Sequence, residues 1–194
     1  MTDAIELLST RRSIPIPMLA EPAPSGEALD HILTIAARVP DHGKLAPWRF
    51  VLYRGDAAVK VGEALAGLVA EREGERMTET RQTIEAERFT RAPLVVGVIS
   101  TAKAHVKIPI WEQELSGGAV AMNLVNAVHA HGYAANWVTE WVAYDDEAKA
   151  ILGITPEEKV VGFIHIGTPS VPPSERPRPD LAEIVSEATA TGAA

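Results

Sequence analysis

The chain lacks cysteine, which removes several kinds of chemistry at once. With no thiol among its 194 residues, disulfides, thiolate nucleophiles and cysteine-ligated metal or iron–sulfur sites are excluded. It also lacks a basic excess, since 26 acidic and 18 basic residues give a net charge of −8, which argues against a nucleic-acid partner. No apolar run approaches the roughly twenty residues of a membrane span. We therefore expect one domain, spanning residues 1–194, that works in the cytoplasm without a signal peptide or a membrane partner.

The common catalytic and nucleotide-binding motifs are missing as well. The sequence has no Walker-type loop, no GxGxxG after a predicted strand and no GxSxG elbow. His129 and His131 are two residues apart on a predicted helix and face different sides, so we predict no metal site there. With neither a nucleophile nor a metal site, we expect no catalytic side chain. An enzyme of this kind would take its chemistry from an organic cofactor.

Local patterns predict more helices than strands. Apolar spacing predicts helices near residues 4–10, 25–38, 56–68, 111–131 and 145–153. Runs rich in β-formers predict strands at residues 48–53, 94–99 and 159–166, with a strand or buried loop at residues 133–142. Gly167 is expected to break the last strand. Few neighbouring strands are joined by tight hairpins, which predicts an α+β, three-layer architecture around one small sheet.

Two further segments are predicted to lie on the surface. Residues 71–91 are highly charged, and we interpret them as a solvated helix or a mobile flap. The tail from about residue 170 carries four prolines within residues 172–179. Because proline removes backbone donors and interrupts helices, we expect this tail to wrap over a neighbouring surface rather than to fold alone.

One proline-rich loop, at residues 38–50, concentrates cations and hydrogen-bond donors. It carries Arg38, His42, Lys44 and Trp48, and its two prolines and one glycine exclude regular structure. Binding groups are often placed on such loops, and this one suits an anionic, planar ligand. The alternative is a simple connector that leads into the following strand.

Several short motifs occur together, in a fixed order, over most of the chain. They are Arg11-Arg12-Ser13, Glu21-Pro22-Ala23-Pro24, Arg38-x-Pro40-Asp41-His42, Pro47-Trp48, Pro109-x-Trp111-Glu112-Gln113-Glu114-x-Ser116, Trp137, Val161-Gly162-Phe163 and Gly167-Thr168-Pro169. Each is weak alone, but the ordered set is specific. As a set they resemble the nitroreductase family, in particular its compact NAD(P)H nitroreductase branch.

The resemblance implies an oxidoreductase that depends on FMN. It implies an α+β fold with a small, mainly antiparallel central sheet, in an intertwined homodimer with two flavin sites at the interface and a tail that embraces the partner. NAD(P)H would reduce the flavin, and a small oxidised acceptor such as a nitroaromatic or a quinone would then take the electrons, in a ping-pong sequence.

The family pattern assigns a phosphate clamp to the first motif. By this resemblance, Arg11 and Ser13 hold the dianionic FMN phosphate, with Arg12 contributing from the same segment. A bidentate guanidinium beside a hydroxyl is chemically suited to that task. Arg176 and Arg178 are candidates for the basic pair that holds the phosphate in larger family members.

The remaining predicted cofactor-binding residues are expected to contact the flavin ring. The resemblance places Trp137, Val138 and Thr139 along the isoalloxazine, with backbone amides near its reactive nitrogen. Arg38 and His42 would approach the same ring from the other subunit.

The chain departs from the family pattern at two places near the pyrimidine end of the flavin. Relatives often carry a cation shortly after the Ser13 position, where this chain reads Ile14-Pro15-Ile16-Pro17, and often read Trp-Arg-Ser at residues 137–139. A cation there stabilises the anionic reduced flavin; Arg38 or Lys44 are candidates to compensate. The departures keep open a specialised flavin reaction (dehalogenation or oxidation of a metabolite), a non-catalytic flavin-binding protein, or a helical interaction module without a cofactor.

Overall fold

A computed structural model describes residues 3–188 and contains one antiparallel sheet. Its strands are β1 (Leu19–Ala20), β2 (Trp48–Tyr53), β3 (Leu94–Ser100), β4 (Ala134–Val138) and β5 (Lys159–Pro169). The strands β2, β3, β5 and β4 lie in that order, and β1 pairs with the end of β5. Every residue of β3 is buried, as expected for an interior strand covered on both faces.

Helices cover both faces of this sheet. They are α1 (Ala4–Thr10), α2 (Gly26–Ala36), α3 (Gly55–Glu73), α4 (Glu79–Ala86), α5 (Ile110–Ala130), α6 (Asp146–Ile151) and α7 (Leu181–Ile184). On one face, α2 and α5 pack over Val96, Ile164 and Ile166, and on the other, residues of α3 and α6 pack around Phe89 and Phe163. The predicted α+β, three-layer arrangement is therefore confirmed.

The last strand is longer than predicted. Gly167 does not break it, because β1 adds to its end through the pairs Leu19–Pro169 and Ala20–Thr168. A side chain at residue 167 would collide with the Ala20 backbone, so glycine allows this close pairing. The prediction of a break used only local sequence and missed a partner strand almost 150 residues away.

The tail after β5 runs along the surface. Residues 171–188 are exposed, with α7 as a single short helix. That this tail wraps a partner subunit stays a prediction, and residues 189–194 lie outside the described part of the chain. Within residues 3–188, no helix is long and apolar enough to cross a membrane.

Candidate functional site

The Arg11–Ser13 motif lies where α1 ends and the chain meets β4. Backbone of the next residue, Ile14, donates to the Ala135 carbonyl (3.3 Å) and accepts from the Asn136 side chain (2.7 Å). The Arg12 carbonyl lies 3.0 Å from Nε2 of His129, in the last turn of α5. The motif is thus held by a strand and a long helix, while Ser13 itself is exposed.

Three arginines gather at this motif, and two of them share one carboxylate. Arg12 donates to the Glu175 carboxylate (3.0 Å) and to the Ser174 carbonyl, and Arg178 donates to the same Glu175 oxygen (3.3 Å). Partial burial, followed by the charges of Arg178 and Arg12, lowers the pKa of Arg11. We call Arg11, Arg12 and Arg178 the arginine cluster. Its charge favours an anion, and Glu175 supplies one from the tail.

A cavity of about 210 Å³ opens at the arginine cluster. Arg11, Arg12 and His129 line it, together with Pro173 of the tail. Arg176 is exposed, and its backbone N–H donates to the Glu175 carboxylate (2.8 Å). Of the two predicted tail arginines, Arg178 therefore joins the cluster by its side chain, whereas Arg176 contributes a backbone contact.

The second predicted segment, Trp137 to Thr139, ends β4. The Trp137 indole N–H donates to the Val161 carbonyl (3.1 Å), and the ring lies directly over Gly162, where any side chain would overlap it. Thr139 accepts a hydrogen bond from the Tyr144 hydroxyl (3.2 Å). Because β4 also holds the Arg11 motif through Ala135 and Asn136, one short strand positions both segments.

Directly after Thr139, the chain is anchored by buried charges. Glu140 has φ +59°, and its carboxylate accepts from Arg88 (2.6 Å) and Arg91 (2.7 Å). Arg88 also donates twice to Glu85, at 2.7 Å each, and Glu85 accepts from the Trp141 indole (3.1 Å). We call Glu85, Arg88, Arg91 and Glu140 the buried ion network. A positive φ at a non-glycine residue is costly and persists only where the surroundings impose it.

The interpretation of residues 71–91 as a solvated helix holds for most of α4, and this network corrects it for Glu85 and Arg88. Glu85 is fully buried and Arg88 is 6% exposed, although much of the segment faces solvent. Burial alone would raise the pKa of Glu140, but hydrogen bonds and charges from Arg91 and Arg88 lower it overall. Sequence reasoning missed these residues. The available signal was Phe89, an apolar residue within a run otherwise rich in charge.

The third predicted group, Arg38 and His42, lies elsewhere in the chain. Arg38 follows α2 and is exposed, with its carbonyl 3.4 Å from the Asn123 amide. His42 donates from Nδ1 to the Glu112 carboxylate (2.6 Å) at the start of α5. A cavity of about 270 Å³, bounded partly by Leu115, lies beside His42 and Glu112.

One chain does not bring all the predicted residues together. The Arg12 carbonyl contacts His129, whereas His42 contacts Glu112, and these two partners are 17 residues apart on α5. At about 1.5 Å of rise per residue, these two helix positions are about 25 Å apart. The structure therefore holds the predicted residues in two separate groups. We call the first, Arg11–Ser13 with residues 137–139 and Arg178, the β4 half-site, and the second, Arg38 with His42, the α5 half-site.

Comparisons with known proteins identify the family of this chain. The sequence model of the Nitroreductase family matches residues 8–168. The Escherichia coli K12 protein named "Putative NAD(P)H nitroreductase YdjA" is 33% identical over 170 residues, which is 87% of this chain and 90% of that protein. The family resemblance seen in the sequence is thereby confirmed.

Solved structures show the same fold. A nitroreductase-like family protein from Bacillus cereus superposes with a TM-score of 0.81 at 22% identity, covering 97% of each chain. The FMN-dependent nitroreductase NfnB from Mycobacterium smegmatis, solved with NADPH, superposes with a TM-score of 0.73 at 20% identity, covering 96% of this chain and 98% of that one. The predicted fold class is confirmed by these neighbours.

Proposed function

Since this chain belongs to the nitroreductase family, we propose that it is an FMN-dependent oxidoreductase that carries electrons from NAD(P)H to a small oxidised acceptor. Its Escherichia coli relative is named as an NAD(P)H nitroreductase, and its Mycobacterium smegmatis structural neighbour is described as FMN-dependent and was solved with NADPH. Because reduced nicotinamide dinucleotides are intracellular metabolites, we also propose that the enzyme works in the cytoplasm.

The arginine cluster is the observation that carries the proposal. Its donors fit a phosphate, since two of them already hold the Glu175 carboxylate and the third, Arg11, is partly desolvated beside like charges. An anion that reached all three guanidinium groups would relieve that repulsion. We assign Arg11, Arg12 and Arg178 to the FMN phosphate, with the exposed Ser13 hydroxyl as a further donor. Arg176 is proposed as an auxiliary phosphate contact.

The isoalloxazine would lie along Trp137, Val138 and Thr139. This edge is fixed from two sides, because Gly162 seats the Trp137 ring and Glu140 is anchored by the buried ion network. A fixed backbone edge orients a flat ring without needing a reactive side chain. Such an edge suits a cofactor that performs the chemistry itself.

The two half-sites support a homodimer with a flavin site at each end of the interface. A single mononucleotide does not span about 25 Å, so the β4 half-site of one chain would meet the α5 half-site of the other. The start of α5 is suited to such a contact, since Trp111 and Leu115 are 66% and 53% exposed beside His42 and Glu112. The exposed tail is proposed to wrap the partner.

The mechanism assigns binding and orientation to the protein. Bound FMN would supply the redox chemistry, and the residues of this chain would bind and orient it. NAD(P)H and the acceptor would use the same open face in turn, in a ping-pong sequence. The arginine cluster holds the phosphate, residues 137–139 orient the ring, and His42 and Arg38 of the partner close the site. A nitroaromatic or a quinone has the flat shape that such a face would accept.

Arg11 provides the test. We expect Arg11→Ala to lose most of its bound flavin, because removing this guanidinium takes a charge-assisted donor away from the phosphate. Flavin absorbance per protein after purification measures this, with Arg76→Ala, an exposed arginine outside both half-sites, as the matched control.

Two results would contradict the proposal. Equal flavin content in both variants would refute the phosphate role of Arg11. If NADH and NADPH both fail to bleach the flavin of the wild-type protein without oxygen, the protein is a flavin binder and not this kind of enzyme.

A further inference from the structure

A second cationic cavity lies beside the α5 half-site and takes no part in the proposed flavin site. Its volume is about 360 Å³, and its polar lining consists of Lys44, Thr101, Lys103, His105 and Gln113. We call it the lysine pocket. Lys44 follows His42 by two residues, and Gln113 follows Glu112 directly on α5, so the pocket adjoins the place where the flavin ring is proposed to lie.

The distribution of lysines singles out this pocket. The chain has six lysines, and Lys149 and Lys159 are paired with carboxylates. Within residues 3–188, four lysines make no ion pair: Lys60 lies on α3, whereas Lys44, Lys103 and Lys107 belong to the two loops around the pocket. In a chain of net charge −8, three unpaired lysines on two adjoining loops form a local field that attracts anions.

The wall formed by residues 101–108 is fixed from inside. The buried Gln113 side chain donates to the Lys103 carbonyl (2.9 Å) and the Ile108 carbonyl (3.3 Å), and it accepts from the Lys103 N–H (3.1 Å). Nδ1 of His105 accepts the N–H groups of Lys107 and Ile108, both at 3.2 Å. That assignment leaves Nε2 of His105 as a hydrogen-bond donor.

The opposite wall, residues 42–46, is also held in place. Lys44 and Ala46 have positive φ values of 54° and 45°, which non-glycine residues rarely adopt. The Asp41 carboxylate accepts the N–H groups of Leu45 (3.2 Å) and Ala46 (2.7 Å), so this nearby negative charge is engaged by backbone donors. The walls meet where Gly43 abuts Ile108 so closely that a side chain would overlap it.

We propose that the lysine pocket binds a phosphate group carried by one of the enzyme's two co-substrates. Ammonium groups act as point charges for phosphate, and two lysines with a histidine N–H provide several donors in one cavity. Two sources share this chemistry: the 2′-phosphate that distinguishes NADPH from NADH, and a phosphorylated acceptor. The inference rests on the proposed function, because it places the pocket beside the flavin.

The test compares the holoenzyme with the double variant Lys44→Ala/Lys103→Ala and with Lys60→Ala, an exposed lysine on α3. If NADPH is the source, the double variant raises the ratio of the KM for NADPH to the KM for NADH at least tenfold. If a phosphorylated acceptor is the source, that ratio stays unchanged. Inorganic phosphate then inhibits the wild type at lower concentration than the double variant. Lys60→Ala should behave as wild type in both arms.

Calorimetric titration with adenosine 2′,5′-bisphosphate and with inorganic phosphate separates this inference from the proposed function. The titration needs no turnover, so binding that the double variant loses would support the pocket even in a protein that never reduces a flavin. The variant Lys44→Arg/Lys103→Arg, which keeps both charges, should retain binding. Equal KM values, equal inhibition and equal titrations in wild type and double variant, at unchanged flavin content, would overturn the inference.

Discussion

The buried ion network and the arginine cluster both contain several charged side chains, but their surroundings differ. In the network, each arginine meets a carboxylate within 2.7 Å, and Glu85 and Arg88 are almost fully buried. In the arginine cluster, Arg12 and Arg178 share a single carboxylate, Glu175, which is itself 62% exposed, and Arg11 has no ion pair within residues 3–188. Charges removed from water are stable only with full pairing, so the network supports the fold. The cluster has spare cationic capacity and can serve an anion from outside.

The comparison also explains how the two regions cooperate. The network fixes Glu140, one residue after the segment that is proposed to orient the flavin ring. The arginine cluster includes Arg11 and Arg12, whose motif is held by β4. The interior thus supplies rigidity, and the surface supplies the contacts that a ligand can use.

The largest effect is expected from Arg88→Ala. This change leaves Glu85 buried with fewer partners and removes one of two donors to Glu140. Breaking a buried ion pair from one side typically costs about 3–5 kcal/mol of unfolding free energy. Denaturant unfolding measures it, with Arg76→Ala as the exposed control; a loss below about 1 kcal/mol would show that the network is not structural.

A smaller effect concerns His165, which is buried near the network with Nδ1 unpartnered among the described residues. Burial and the Arg91 and Arg88 charges lower its pKa to about 4, although Glu140 opposes them. The unfolded chain has a histidine pKa near 6.5. Between pH 6.5 and about pH 4 it therefore binds more protons than the folded chain, so the free energy of unfolding falls as the pH drops.

We expect this group to account for about 2 kcal/mol of stability lost between pH 7 and pH 5. His165→Leu should flatten the dependence of unfolding free energy on pH across that window. An unchanged slope in His165→Leu would assign the pH dependence to other groups.

The smallest effect is expected at the arginine cluster, from Glu175→Gln. The amide keeps the shape of the side chain but removes the charge that competes with a phosphate for Arg12 and Arg178. FMN should bind the apoprotein up to about fivefold more tightly, as judged by fluorescence titration. Glu183→Gln, on the exposed α7, is the control. Weaker binding by Glu175→Gln would mean that this carboxylate supports the cluster instead of competing for it.

The sequence predicted the elements that depend on local patterns. The strands at residues 48–53 and 94–99 were found because they are runs rich in β-formers, and the long helix near residues 111–131 because its apolar residues are spaced at the helical period. The buried ion network could not be found in this way, because Glu140 is about 50 residues away from its arginine partners. Local composition makes residues 71–91 resemble a solvated surface.

The candidate site was predictable to a similar degree. The family resemblance selected Arg11 and Trp137, and the structure shows that β4 links their two segments. Neither the competing Glu175 nor the lysine pocket was predicted, since both depend on how distant loops meet. The separation of the two half-sites also required α5 to be placed in space.

The length of α5 has a genetic consequence. In the proposed dimer, each ring is enclosed by residues from both polypeptides, so an Arg11→Ala chain and a His42→Ala chain damage opposite contributions. When the two inactive variants are refolded together, half of the sites in each mixed pair would contain only intact residues, and the other half would carry both lesions. Mixing two inactive variants would then restore activity, as in interallelic complementation.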